Sequence, residues 1–112
     1  MIDLETVREK CLSLREVTEQ DHFGKPSYRV RKKIFATLWL EEKRIVLKLS
    51  TADQLELCER NPTIFYPVKG GWGKQGATNV ELNEVSLKLL ENALTKSWCE
   101  VAPEKLVKQF KS

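Results

Sequence analysis

The chain has one histidine and three cysteines in 112 residues, and the cysteines (Cys11, Cys58, Cys99) are odd in number, far apart and never in a Cys-x-x-Cys spacing. That scarcity excludes a disulfide framework. A Cys/His zinc site would need an unusual ligand set around His22 alone, and a Cys/His nucleophile pair would depend on the same residue. Each cysteine sits beside apolar neighbours in a helical pattern and reads as a small buried hydrophobe. Also missing is any apolar run near the roughly 20 residues needed to cross a bilayer. The start, Met1-Ile2-Asp3-Leu4-Glu5, has neither the basic flank nor the apolar stretch of a signal peptide. The expectation is a cytoplasmic protein without membrane association. No repeat, low-complexity segment or linker divides the chain, so residues 1–112 read as one domain with one core.

An excess of either charge is lacking too. The net charge is +3 and the pI about 8.8, too mild to imply a polyanionic partner by itself. With 41% hydrophobic and 31% charged residues, the composition is that of a globular protein. The distribution of charge says more than its sum. Residues 23–36 hold five cations (Lys25, Arg29, Arg31, Lys32, Lys33) and no acid, whereas the first helix and Glu41-Glu42 hold much of the acid.

Asp3 or Thr6 can cap a first helix in which Leu4, Val7, Cys11, Leu12 and Leu14 recur at spacings of three and four; it is expected to end near residues 14–17. The polar segment 18–21 reads as a connection into a turn at His22-Phe23-Gly24-Lys25-Pro26, and a short strand over 27–30 follows. Strands over 34–40 and 45–49 form a hairpin in which the loop Glu41-Glu42-Lys43-Arg44 is expected to pair Leu40 with Ile45. Strict alternation would put Ile34, Ala36, Leu38 and Leu40 on a helix-covered face with Ile45, Leu47 and Leu49. Phe35, Thr37, Trp39, Val46 and Lys48 would then lie on the opposite, mixed face.

Beyond Ser50 or Thr51 as cap, Ala52, Leu55, Leu57 and Cys58 mark a helix stopped by Asn61-Pro62. Residues 63–68 read as a strand that Pro67 confines to an edge, and 78–82 as a short final strand. A last helix starting at Asn83 or Glu84 carries the stripe Val85, Leu89, Ala93, Leu94, Trp98 and Val101, and Pro103 opens a terminal helix with Leu106, Val107 and Phe110 on its apolar side. The main elements, in the order α-β-β-β-α-β-α, imply an α+β fold with an antiparallel sheet and helices packed on one face.

Four of the five glycines fall within residues 69–76, around Trp72. The segment is neither GxGxxG nor GxxxxGK[ST] and leads into a strand, so a flexible surface loop explains it better than a nucleotide cradle. Trp72 between Lys69 and Lys74 can stack on a base or on a partner side chain. Arg29, Arg31, Lys32 and Lys33 read equally as solvated protection of a hairpin tip and as phosphate contacts. Glu41 and Glu42 are explained by solvation in their turn rather than by acid–base chemistry, and nothing calls for a cofactor.

The run Phe23-Gly24-Lys25-Pro26-Ser27-Tyr28-Arg29-Val30, then Lys33-Ile34-Phe35-Ala36, Val46-Leu47-Lys48-Leu49, Leu89-Leu90, Ser97-Trp98 and Val101-Ala102, resembles the MmcQ/YjbR family of small bacterial proteins. The likeness spans nearly the whole chain. It departs at Trp98, where the family usually has Tyr, and at Arg31-Lys32, where small residues are common. The resemblance implies a CyaY-like fold and DNA binding through two projecting hairpins, a double wing: residues 28–34 and the loop 69–78. The reading is a non-enzymatic, monomeric, low-specificity binder of double-stranded DNA, with Lys25, Arg29, Arg31, Lys32, Lys33, Lys69 and Lys74 on phosphates and Trp72 stacking or wedging. The alternative is a protein-interaction module using Phe35, Trp39 and Val46 or the Trp72 loop. Iron binding, which the fold serves elsewhere, would call for an acidic ridge on the first helix. Here Asp3, Glu5, Glu9 and Glu16 are interrupted by Arg8, Lys10 and Arg15.

Overall fold

Six strands pair antiparallel throughout, in the spatial order β1-β2-β3-β4-β6-β5. A computed structural model of the protein describes residues 2–111. Along the chain lie α1 (Leu4–Leu12), β1 (Val17–His22), β2 (Lys25–Val30), β3 (Lys33–Trp39), β4 (Arg44–Lys48) and α2 (Thr51–Arg60). Then come β5 (Phe65–Pro67), the single turn α3 (Gly71–Lys74), β6 (Ala77–Glu81), α4 (Leu87–Val101) and α5 (Glu104–Lys111). The α+β architecture is the expected one, with α1 and α4 laid on one face of the sheet. No helix among the described residues is long and apolar enough to cross a membrane.

Side-chain caps set the helix starts. The Asp3 carboxylate accepts from Thr6 N at 2.8 Å, the Ser50 hydroxyl from Asp53 N at 3.0 Å and the Ser86 hydroxyl from Leu89 N at 3.1 Å. The last long helix therefore begins three or four residues later than the apolar pattern suggests, because Ser86 supplies an oxygen that pairs with an otherwise orphaned amide. On α2 the apolar stripe is also displaced. Leu55 is exposed and Gln54 is buried, its Nε2 donating to Gly73 O at 2.8 Å and Ala77 O at 3.2 Å.

The core joins Val7 and Cys11 of α1, the inward side chains of β2, β3 and β4, and Leu90, Ala93, Leu94 and Trp98 of α4. Ser97 ties that helix to the sheet: its Oγ lies 2.7 Å from the carbonyl oxygens of both Phe35 and Lys48. Burial pushes the Cys11 thiol up to about 12, as befits a packing residue rather than a nucleophile. Trp98 is fully buried and its Nε1 donates to Arg15 O at 3.0 Å.

Three expectations fail at the first strands. The polar segment 18–21 is no connection but the heart of edge strand β1, registered on β2 from Val17↔Val30 to His22↔Lys25. Its burial alternates only between exposed and half-buried, so no apolar signal marks it. Alternation along β3 is broken as well. Tyr28 faces Ala36 but Arg29 faces Ile34, leaving Phe35 as the extra residue of a bulge. Phe35 and Ala36 consequently both turn into the core, while Ile34 is only half-buried. The β3–β4 hairpin closes on Trp39↔Arg44 and pairs Ile45 with Leu38 rather than Leu40, which lies exposed in the turn. Full burial of the Phe35 ring is worth about 1.5–3 kcal/mol, a contribution that regular pairing, with Phe35 on the open face, would lose in part.

Candidate nucleic-acid interface

With α1 and α4 on one face of the sheet, the other is left open except where α3 folds over it. Register places Thr18, Gln20 and His22 of β1 on this face, beside Lys25, Ser27 and Arg29 of β2, Thr37 and Trp39 of β3, and Arg44, Val46 and Lys48 of β4. Trp39 stands between two cations: Lys25 Nζ lies 4.3 Å from its ring centroid and Arg44 Cζ 4.8 Å. Both ammonium and guanidinium gain from the electron-rich indole and are thereby oriented on the sheet surface. Arg44 Nε is buried and has no hydrogen-bond partner among the described residues. Beside it the Tyr66 hydroxyl donates to the Glu81 carboxylate, and that bond raises the phenol's pKa.

A trough of about 280 Å³ crosses this face between the β1–β2 turn and α3, with Phe23 and Trp72 at its rim and Lys25, Trp39 and Val46 along it. A hollow of about 200 Å³ adjoins it and shares His22, Thr37, Val46 and Trp72. No carboxylate lines either one. Phe23 is 88% exposed and Trp72 73%. Both are held by backbone. Phe23 and Gly24 form a two-residue turn with φ of 52° and 82°, where the Asp21 carboxylate accepts from Gly24 N at 3.2 Å, and the His22 ring meets Phe23 edge-on at 4.7 Å.

The segment around Trp72 is ordered, not the flexible loop its glycines suggest. It forms one helical turn pressed onto the sheet so closely that a Cβ at Gly73 would lie 1.7 Å from Val68 O, and one at Gly76 1.9 Å from Leu49 O. Gly76 also has a φ of 109°, a conformation open to glycine alone. Lys48 Nζ donates to Gln75 O, and Gln54 holds Gly73 from beneath. The glycines are needed because backbone must pass against backbone.

The structure brings together only part of the expected cation set. Lys25 and Trp72 line the trough, and Lys69 and Lys74 flank Trp72, exposed. Arg29 lies on the same face farther along β2, with Nε on Ser27 Oγ at 3.2 Å. Arg31 and Lys32 form the β2–β3 turn, with φ of 48° and 74°, and Lys33 opens β3. That turn lies six residues from Lys25, about 20 Å along an extended strand. Tyr28 and Val30 are buried, so residues 28–34 are an integral sheet hairpin with only its turn free. The charge of Arg31 is spoken for: Nε sits 2.9 Å from the Glu16 carboxylate, which it holds below the usual carboxylate range.

Sequence reading missed Phe23, Arg44 and His22 as site residues and named Trp39 only for the protein-docking alternative. Trp39 was legible as an outward-facing aromatic, but its contact with Lys25 joins positions fourteen apart and depends on the β2–β3 pairing. Phe23 lay inside a motif read only as a turn. Among the described residues no group of three or more His, Cys, Asp or Glu is placed to hold a metal ion.

The family model for YjbR matches residues 12–100. The chain belongs to the YjbR family. No curated protein matches it by sequence. Among solved structures it is similar to the Deinococcus radiodurans protein DR2400, described by the family-model domain DUF419, with a TM-score of 0.77 and 19% identity over 96% of this chain and 87% of that one. At that identity the likeness speaks to the fold. The match spans the last residue of α1 to nearly the end of α4 and so contains every residue of the open face described above.

Proposed function

We propose that this YjbR-family protein is a non-enzymatic, low-specificity DNA-binding protein that grips phosphates with cations distributed around the open sheet face. The observation that carries the reading is the trough without carboxylates, with Lys25 and Arg44 oriented on Trp39 and with Lys69 and Lys74 beside the exposed Trp72. Lys32 and Lys33, exposed and without an ion-pair partner among the described residues, extend the positive surface at the far turn. Arg31 contributes less, since it would have to leave Glu16. Phosphate recognition of this kind carries affinity and salt dependence but no sequence information.

The test is fluorescence anisotropy of a labelled duplex between about 50 and 200 mM salt, the range over which phosphate-driven binding falls steeply. Replacing Lys25, Lys32, Lys33, Lys69 and Lys74 by Ala should weaken binding to all sequences alike and reduce the salt slope by about 0.9 for each phosphate that is no longer neutralised. An unchanged slope in that variant overturns the site. One observation, the exposure of the Phe23 and Trp72 rings, also suits a protein-docking surface. Partners retained from lysate after nuclease treatment, together with no DNA binding at the lowest salt, would favour that role.

A further inference from the structure

We infer that the trough is a base-stacking site, and that the protein binds single-stranded DNA in preference to duplex. This rests on the phosphate-binding reading above and adds the form of the ligand. Trp39 cannot be the stacking platform, because Lys25 and Arg44 lie over its ring at 4.3 and 4.8 Å. Its role is to hold two cations on the floor. The rings that keep an open face are those of Trp72 and of Phe23, the latter with His22 edge-on to it, and both rim the same cavity of about 280 Å³.

Both platforms stand on fixed backbone. Phe23 is held at a φ of 52°, a costly place for a bulky residue, with its ring turned into solvent. Trp72 stands on a turn locked by the close approaches of Gly73 and Gly76. Exposed aromatics beside cations, with no carboxylate between them, complement a chain that alternates flat apolar rings with negative charge. A duplex keeps its ring faces stacked inside and offers phosphates and groove edges only, so it can use the cations but not the rings. An unpaired strand uses both.

The experiment compares labelled single-stranded DNA of about 12 nucleotides, within the usual range of site sizes, with the duplex of the same sequence. The single strand should bind more tightly and quench tryptophan fluorescence. Trp72→Ala and Phe23→Ala should each weaken single-strand binding by about 5- to 150-fold, with the salt slope kept and duplex binding nearly unchanged. Trp72→Phe should retain most of the affinity. Both side chains are mostly solvent-exposed, and an unchanged urea midpoint checks that folding is intact. Duplex binding as tight as single-strand binding, with Trp72→Ala neutral, overturns the stacking site and leaves phosphate binding standing. Absence of binding to either probe overturns both.

Discussion

Replacing Ser97 by Ala tests how α4 is fastened to the sheet. The Ser97 hydroxyl is buried and lies 2.7 Å from the Phe35 and Lys48 carbonyl oxygens. Both acceptors sit just past the last β3–β4 pair, Ala36↔Leu47, so the hydroxyl takes over where that ladder stops. One hydroxyl has one proton and serves one acceptor at a time, so the variant forfeits one bond rather than two. Alanine is otherwise nearly isosteric and opens little space. The cost is that of a buried carbonyl left without a donor, about 1–3 kcal/mol. For 112 residues the unfolding entropy is about 0.24 kcal/mol per kelvin, so a 2 kcal/mol loss lowers Tm by about 8 °C. Calorimetry reads that shift directly, and urea unfolding should show a lower midpoint with an unchanged slope. A loss below about 0.5 kcal/mol, ordinary for a surface substitution, refutes the assigned role of the hydroxyl.

Trp98→Phe should cost about 2–4 kcal/mol by urea unfolding, since it orphans the Arg15 carbonyl and shrinks a fully buried ring; a cost under 1 kcal/mol would contradict this. Gly76→Ala should destabilise by at least about 2 kcal/mol through its clash with Leu49 O and its positive φ, whereas Gly71→Ala, which meets nothing within 4 Å, should be close to neutral. Equal effects at the two glycines would show that α3 is not pressed against the sheet as described. Alkaline pH should unfold the protein through two buried acids. Burial, with Glu19 nearby, raises the Cys11 thiol from 9.0 to about 12, and burial with the Glu19 hydrogen bond raises the Tyr28 phenol above its ordinary 10.0. The folded chain then keeps protons that the unfolded chain has released. Stability is whole below about pH 9 and falls as pH rises through the folded values, by about 1.4 kcal/mol per unit for Cys11. Urea midpoints from pH 8 upward check this, and Cys11→Val should remove the thiol's share; a midpoint independent of pH would refute it.

Elements with a strong local signal were legible before the structure. The β3–β4 hairpin announces itself by two apolar runs around a charged turn, and α4 by its stripe and by Pro103 beyond its end. β1 was not legible, because an edge strand that is nowhere more than half-buried needs no apolar period and only its ladder to β2 defines it. The Phe35 bulge was hidden for a related reason: the residues that share a face depend on how two strands are registered, and one extra residue reverses the assignment. Trp72 and its flanking lysines were visible as unusual. That Trp72 faces Phe23 and Lys25 across one trough was not.

By itself the sequence determined the fold class, the family and the local concentration of cations. These follow from composition, periodicity and short motifs, which act over a few residues. Only the tertiary structure decided which charges remain available and which rings share a cavity. Glu16 claims Arg31 from fifteen residues away, Trp39 collects Lys25 and Arg44 from the two strands beside it, and close backbone packing at Gly73 and Gly76 sets Trp72 over the sheet. Each of these joins segments that meet only in the folded chain, and apart from the β3–β4 hairpin no local pattern encodes those meetings.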